Sequence, residues 1–229
     1  MVSYFVTSTG TDVGKTYVTA GILRAARRGG KLASAVKPLL TGYSPDHAAD
    51  SDSAVLLSAM GKAISRQNIE TISPWRFTAP LSPDMAATRE GRRVDFPLLT
   101  KFCQVAIGAA PGTLLIEGVG GVAVPLDETH LVSDWISALR IPAILVAGTY
   151  LGTISHTINA VDFLTSRAIT VAAVVLSESA NPATSLEETA ATLRRFVRAP
   201  IHIIPRNLNE QAFQNLAGSL LELTYAAPS

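Results

Sequence analysis

Residues 3–16 read Ser-Tyr-Phe-Val-Thr-Ser-Thr-Gly-Thr-Asp-Val-Gly-Lys-Thr, and this stretch decides the fold. An apolar run over 3–7 has the length and β-branched content of a buried strand. It enters a loop of small residues, Ser8-Thr9-Gly10-Thr11-Asp12-Val13. Gly14-Lys15-Thr16 then opens a predicted helix over 15–28. Strand, small-residue loop and Gly-Lys-Thr at a helix start form the context of a phosphate-binding P-loop. Small residues let backbone N–H groups converge on phosphate oxygens, and the helix N-terminus adds positive potential there. In that setting Lys15 would neutralise β- and γ-phosphates, and Thr16 would offer its hydroxyl to Mg²⁺. The strict G-x-x-x-x-G-K-[ST] pattern is missed by one place: its first glycine slot holds Thr9, and Gly10 follows.

Outward from this loop, further short apolar runs at 32–36, 113–116, 143–146, 171–176 and 201–204 read as buried strands. Helical stretches fall at 52–60, 96–109, 132–138, 155–167, 186–197 and 210–221. Strand alternating with helix along a whole chain predicts an α/β fold, a parallel sheet covered by helices on both faces. No repeat or linker divides the chain, so residues 1–229 are expected to form a single P-loop α/β domain. The 61–94 region, with Pro74, Pro80 and Pro83, reads as a long irregular excursion, and such excursions are often functional.

Composition narrows the function. Lys plus Arg number 19 and Asp plus Glu 18, a net charge of +1, which argues against electrostatic nucleic-acid binding. Charged residues are 16% of the chain against about 25% typically, so part of the surface is expected to be hidden in an oligomer. The single cysteine, Cys103, lies in an apolar helical stretch and reads as a buried free thiol. The N-terminus lacks the features of a signal peptide, and no apolar run reaches the ~20 residues of a membrane helix. A soluble, cytoplasmic protein that binds no membrane is expected.

A phosphoryl-transfer site needs acids for metal and cations for the moving phosphate. Glu117 ends the 113–116 strand and is followed by Gly118-Val119-Gly120-Gly121. An acid at a strand tip suits a Mg²⁺ ligand, and the glycines allow close approach to phosphate, although an ordinary strand-end turn has the same composition. Lys37 leaves the second strand ahead of Pro38 and could reach the same phosphates. Asp52 reads equally as a first-turn acid of a helix. His47, His130, His156 and His202 have no metal spacing, which excludes a zinc site. Ser8, Ser82 and Ser155 sit in no nucleophile elbow.

Together these residues resemble the dethiobiotin synthetase family. The likeness runs to about residue 210 through Thr11–Thr16, Lys37-Pro38, Thr41-Gly42, Ser51-Asp52, Phe77, Pro80, Ser82-Pro83, Glu117–Gly121, Pro125-Leu126, Asp134-Trp135 and Leu151–His156. It implies a homodimer of a mostly parallel P-loop fold of about seven strands, with a shared active site. It implies use of ATP, Mg²⁺ and CO₂ to close the ureido ring of 7,8-diaminopelargonic acid. Lys15 and Lys37 would be catalytic, binding phosphates and stabilising the transferring γ-phosphoryl. Thr16, Asp52 and Glu117 would hold Mg²⁺. Asp12, Val13, Gly14, Tyr17, Gly118, Val119, Gly120, Ser177, Glu178, Pro205, Arg206 and Asn207 would complete the nucleotide site. Thr41 and Ser82 would meet the diamine. Leu151 and Gly152, at a helix start, would receive its distal carboxylate across the dimer interface.

The chain departs from the family pattern in places. Ser8 stands where glycine is common, Asp12 where some members have glutamate, and Ser155 where asparagine is frequent. Ser177 stands where an asparagine often contacts the base. Two alternatives are weaker. A cobyrinic acid amide synthase type of amidoligase would need an amidotransferase domain that 229 residues do not accommodate. A partitioning or septum-placement switch ATPase would carry a second lysine near Ser8–Thr9, and none is there. Such ATPases also commonly have a membrane-targeting tail or a basic DNA face, and residues 220–229 are neither basic nor a long amphipathic stretch.

Overall fold

The computed structural model describes residues 2–207 and 209–221; the tail reading, from residue 222 onward, lies outside them. The strands β1 (Ser3–Ser8), β2 (Ala33–Val36), β5 (Thr113–Glu117), β6 (Ala143–Ala147), β7 (Val171–Ser177) and β8 (Ile201–Ile204) form one sheet, ordered β2-β5-β1-β6-β7-β8. Every pairing in it is parallel. β5 and β6 are buried along their whole length, which is why both are continuous apolar runs rather than alternating ones. The helices that connect them are α1 (Lys15–Arg28), α5 (Phe96–Ala109), α6 (Val132–Leu139), α7 (Thr153–Thr165) and α8 (Leu186–Leu193), and α9 (Glu210–Leu221) follows β8. The core includes Trp135 of α6, edge-on to Phe5 of β1 with ring centroids 4.8 Å apart.

Among the described residues the central sheet has six strands, in keeping with the mostly parallel sheet of about seven expected, and two further short strands, β3 (Leu39–Thr41) and β4 (Trp75–Phe77), pair with each other in a separate parallel ribbon. Lys37-Pro38 separates β3 from β2: Pro38 has no N–H to donate, and its carbonyl accepts from Trp75 N at 3.0 Å. The 61–94 excursion is also ordered. It holds α3 (Arg66–Ile72), β4 and α4 (Pro83–Arg89), following α2 (Asp52–Ala59). Ser65 caps α3 by accepting from Asn68 N at 3.1 Å. Pro83 occupies the first turn of α4, where a proline starts a helix instead of breaking one.

Element ends move by a few residues. Leu32, expected in β2, is 65% exposed and lies outside the strand. α7 begins at Thr153, two residues early, because Gly152 takes a left-handed conformation (φ 95°) as its cap. α8 ends at Leu193 rather than 197. Cys103 is buried in α5 as expected, and burial pushes its thiol pKa up to about 12. No described helix is long and apolar enough to cross a membrane.

The strand order sets the location of the site. β1 lies between β5 and β6; the chain runs from β1 out to β2 on one side and crosses from β5 to β6 on the other, making a crevice at the carboxyl ends of these strands. Ser8, Glu117 and Ala147 end the three strands, and Lys37 follows the end of β2.

Candidate active site

The loop after β1 is shaped to face an anion. Asp12 (φ 57°) and Gly14 (φ 96°) both have left-handed backbones, which turn successive N–H groups into one hollow. Gly14 caps α1 without a side-chain hydrogen bond, and the first turn of α1 has no acid. Its positive N-terminus is therefore not neutralised by a side chain of that turn. A Cβ at Gly14 would stand 2.5 Å from Ser177 Oγ, so the close approach of β7 also requires glycine here. Lys15 is buried, and its Nζ donates to Ser8 Oγ at 3.0 Å and Gly10 O at 3.3 Å. Burial, aided by the Lys37 cation, lowers its pKa to about 8.

Beside the loop, four side chains from three elements and the β2 exit converge. Lys37 is 3% exposed and donates to Glu117 Oε1 at 2.7 Å and Gly118 O at 3.3 Å. It also pairs with Asp52 Oδ2 at 2.9 Å. Thr16 donates to the same Glu117 Oε1 at 2.7 Å. Burial alone would lower the Lys37 pKa, but the Glu117 and Asp52 carboxylates outweigh it and hold it above the ordinary lysine range. For Asp52, burial pushes up, while the Lys37 charge and hydrogen bonds from Lys37 and Thr16 prevail and lower the pKa. Asp52 is both the first-turn acid of α2, behind a Ser51 cap, and a member of this cluster.

The donor set suits Mg²⁺. Thr16, Asp52 and Glu117 offer only oxygens, as a hard cation requires. Glu117 is fully buried, and its Oε2 has no hydrogen-bond partner among the described residues. A buried carboxylate oxygen without a partner is costly unless something fills the gap.

A cleft of about 730 Å³ opens over these groups. Asp12 and the run from Gly14 to Tyr17 line one side, with Lys37 and Asp52. Thr41 of β3 and Ser82 ahead of α4 line it from the ordered excursion, and Val119 and Gly120 from the segment after β5. Val13 packs against the core, and Gly118 takes part through its carbonyl. Ser177 is 5% exposed and turned against Gly14. Glu178 accepts from Arg206 N at 2.9 Å, and Tyr17 Oη donates to Pro205 O at 3.1 Å. Asn207 is exposed on the same loop. Leu151 and Gly152 do not line this cleft, and Leu151 is 89% exposed.

Tyr150 lies outside every sequence-based expectation. Its hydroxyl is 3.3 Å from Thr9 Oγ1 and 3.0 Å from His156 Nδ1, linking the phosphate loop to α7. Its position directly before the Leu151-Gly152 helix start was the one available clue. Leu40, Leu81 and Val124 add apolar cleft wall, and nothing in their spacing singles them out.

The family signature described as "AAA domain" matches residues 2–209. The chain is 50% identical over 200 residues to the "ATP-dependent dethiobiotin synthetase BioD" of Acidiphilium cryptum, covering 87% of this chain and 90% of that one. It is 42% identical over 228 residues to the protein of the same name from Caulobacter vibrioides, covering 99% and 100%. Among solved structures it is similar to the cell division ATPase MinD of Pyrococcus furiosus, with a TM-score of 0.56 and 13% identity over 96% of this chain and 98% of that one. The septum site-determining protein MinD of Pyrococcus horikoshii, complexed with Mg-ADP, gives a TM-score of 0.55 and 15% identity over 96% and 97%. At such identities these two structures show a shared fold and nothing more.

Proposed function

The chain belongs to the dethiobiotin synthetase family, and from that membership we propose that it is an ATP-dependent cyclo-ligase closing the ureido ring of 7,8-diaminopelargonic acid with CO₂. The products are dethiobiotin, ADP and phosphate. One observation carries the chemistry: a Lys37 ammonium held between Glu117 and Asp52, beside Lys15, under an open cleft. Family membership supplies the substrates.

The reaction proceeds in three steps. One substrate amine attacks CO₂, forming a C–N bond and losing a proton, to give a carbamate. A carbamate oxygen then attacks the γ-phosphorus in line. The bond from that phosphorus to the bridging oxygen breaks, and ADP leaves. The second amine attacks the activated carbon and closes the ring, and phosphate departs with the electron pair of its C–O bond while the amine gives up a proton. The first and last steps need orientation above all. Thr41 and Ser82 on the cleft wall orient the diamine.

Phosphoryl transfer needs cations placed in advance where charge develops. Lys15 takes the β- and γ-phosphates at the helix N-terminus. Lys37, held in place by Glu117, Asp52 and the Gly118 carbonyl, sets a fixed positive charge beside the γ-phosphoryl, so little reorganisation accompanies the step. Thr16, Asp52 and Glu117 would hold Mg²⁺, which would neutralise phosphate charge when bound. Glu178, Pro205, Arg206 and Asn207 border the base, with Tyr17 tying their loop to α1.

The proposal includes one functional domain per chain, a cytoplasmic location and a homodimer. Family likeness and the low charged fraction of 16% support the dimer. In a dimer, the Leu151-Gly152 helix start receives the carboxylate of a substrate bound to the partner. Sedimentation at micromolar concentration is expected to give a dimer, and a fully active monomer would refute this part. ADP release is expected to require diamine and bicarbonate together; release at the same rate without the diamine would refute the assignment.

A further inference from the structure

Ser8 has no role in the steps above, yet its hydroxyl sits at the junction of three elements. It is the last residue of β1 and fully buried. Its Oγ accepts from Lys15 Nζ at 3.0 Å and lies 2.6 Å from Gly10 O and 2.8 Å from Gly120 O. A serine hydroxyl has one proton and two lone pairs. The two carbonyls share the proton, and the ammonium takes a lone pair. The Ser8 main chain adds a second tie, since its carbonyl accepts from Val122 N at 3.1 Å. The segments are in close backbone contact: a Cβ at Gly121 would stand 3.2 Å from Ser8 O and 3.3 Å from Gly10 N.

An ammonium has three N–H donors. Ser8 Oγ and Gly10 O meet two of those on Lys15, which leaves one for a phosphate oxygen. A lysine has four rotatable carbons in its stem, so its head is placed only as well as its partners hold it. We infer that Ser8 is a positioning residue for Lys15: its hydroxyl fixes the ammonium at the phosphate loop and locks that loop to the segment after β5. This rests on the proposed nucleotide role of Lys15.

Ser8→Ala and Ser8→Gly remove the hydroxyl, and Ser8→Thr keeps it. Each is titrated by calorimetry with the β,γ-imido analogue of ATP plus Mg²⁺, and separately with AMP. The Ala and Gly variants are expected to bind the triphosphate analogue about tenfold more weakly, the size of one hydrogen bond to a charged group. AMP lacks the phosphates that Lys15 addresses, so its affinity is expected to stay within twofold. The Thr variant is expected to recover most of the loss. In turnover, KM for ATP rises by the same factor while KM for the diamine holds. Triphosphate affinity within twofold of wild type overturns the inference. An equal loss for AMP, or failure of both the Ala and Gly variants to fold, overturns it too by making the hydroxyl merely structural. A wild-type protein that binds the analogue but makes no dethiobiotin would defeat the proposed function and leave the Ser8 titrations decisive.

Discussion

Replacing Lys37 by alanine is expected to damage stability and turnover together, and the two losses can be separated. Lys37 is 3% exposed, and its partner Glu117 is 0% exposed. Removing the ammonium leaves Glu117 with one hydrogen bond, from Thr16, and with Oε2 still without a partner. Breaking a buried ion pair on one side costs about 3–5 kcal/mol. Asp52, with its side chain 44% exposed, adds a smaller share, since solvent screens it in part. Turnover should fall at least a hundredfold, the usual cost of one transition-state donor or cation. Lys37→Met combined with Glu117→Gln discriminates the two effects. It removes both charges at similar volume, so most of the stability should return, while the reaction should stay slow. The pH dependence gives a further check. The folded-state pKa of Asp52 lies below its ordinary 3.8, so the stabilisation it provides is fully present above that value. It is lost as pH falls through the lower folded-state value, and the Lys37→Ala variant should lack that part of the acid transition. Urea unfolding and steady-state kinetics on the single and double variants measure all of this. A Lys37→Ala protein destabilised by under about 1 kcal/mol, or a double variant with near-normal turnover, would refute the reasoning.

Gly14→Ala places a Cβ at φ 96° and 2.5 Å from Ser177 Oγ, so it should cost about 1–3 kcal/mol in urea unfolding and abolish nucleotide binding; a variant binding normally would show that the loop tolerates a side chain. Ser177 faces Gly14 rather than the base loop, and one hydroxyl cannot match an adenine edge as an amide does, so kcat/KM for ATP should exceed that for CTP or GTP by only about tenfold or less. A preference well above about a hundredfold would move base discrimination to other groups. Cys103, with its thiol pKa near 12 and its side chain buried, should resist a thiol reagent at pH 8 in the native protein and react at once in urea; immediate native labelling would contradict its burial.

The phosphate loop was legible because it combines three local signals: an apolar strand, small residues and a Gly-Lys-Thr helix start. Glu117 was legible for the same reason, as an acid ending a buried strand. Lys37 and Asp52 were ambiguous alone, since strand ends often carry lysine and first turns often carry acids. Only the sheet order, which sets β2 beside β5, brings Lys37 within 2.7 Å of Glu117. The order within the 61–94 excursion was not legible because three prolines suggest irregular chain, whereas Pro83 begins a helix. β3 and β4 were missed because three-residue strands carry too little periodicity to register. The partners of Ser8 and Tyr150 are separated in sequence by up to 112 and 141 residues respectively, beyond any spacing rule.

Ring closure builds CO₂ into the product. The direct measurement is incubation of the protein with ATP, Mg²⁺, ¹⁴C-bicarbonate and 7,8-diaminopelargonic acid, followed by acidification. A carbamate loses its label as CO₂ in acid, whereas a closed ureido ring keeps it. Acid-stable label is expected in a product that comigrates with dethiobiotin, formed one for one with ADP and absent without ATP. ADP formation with no acid-stable label would contradict it.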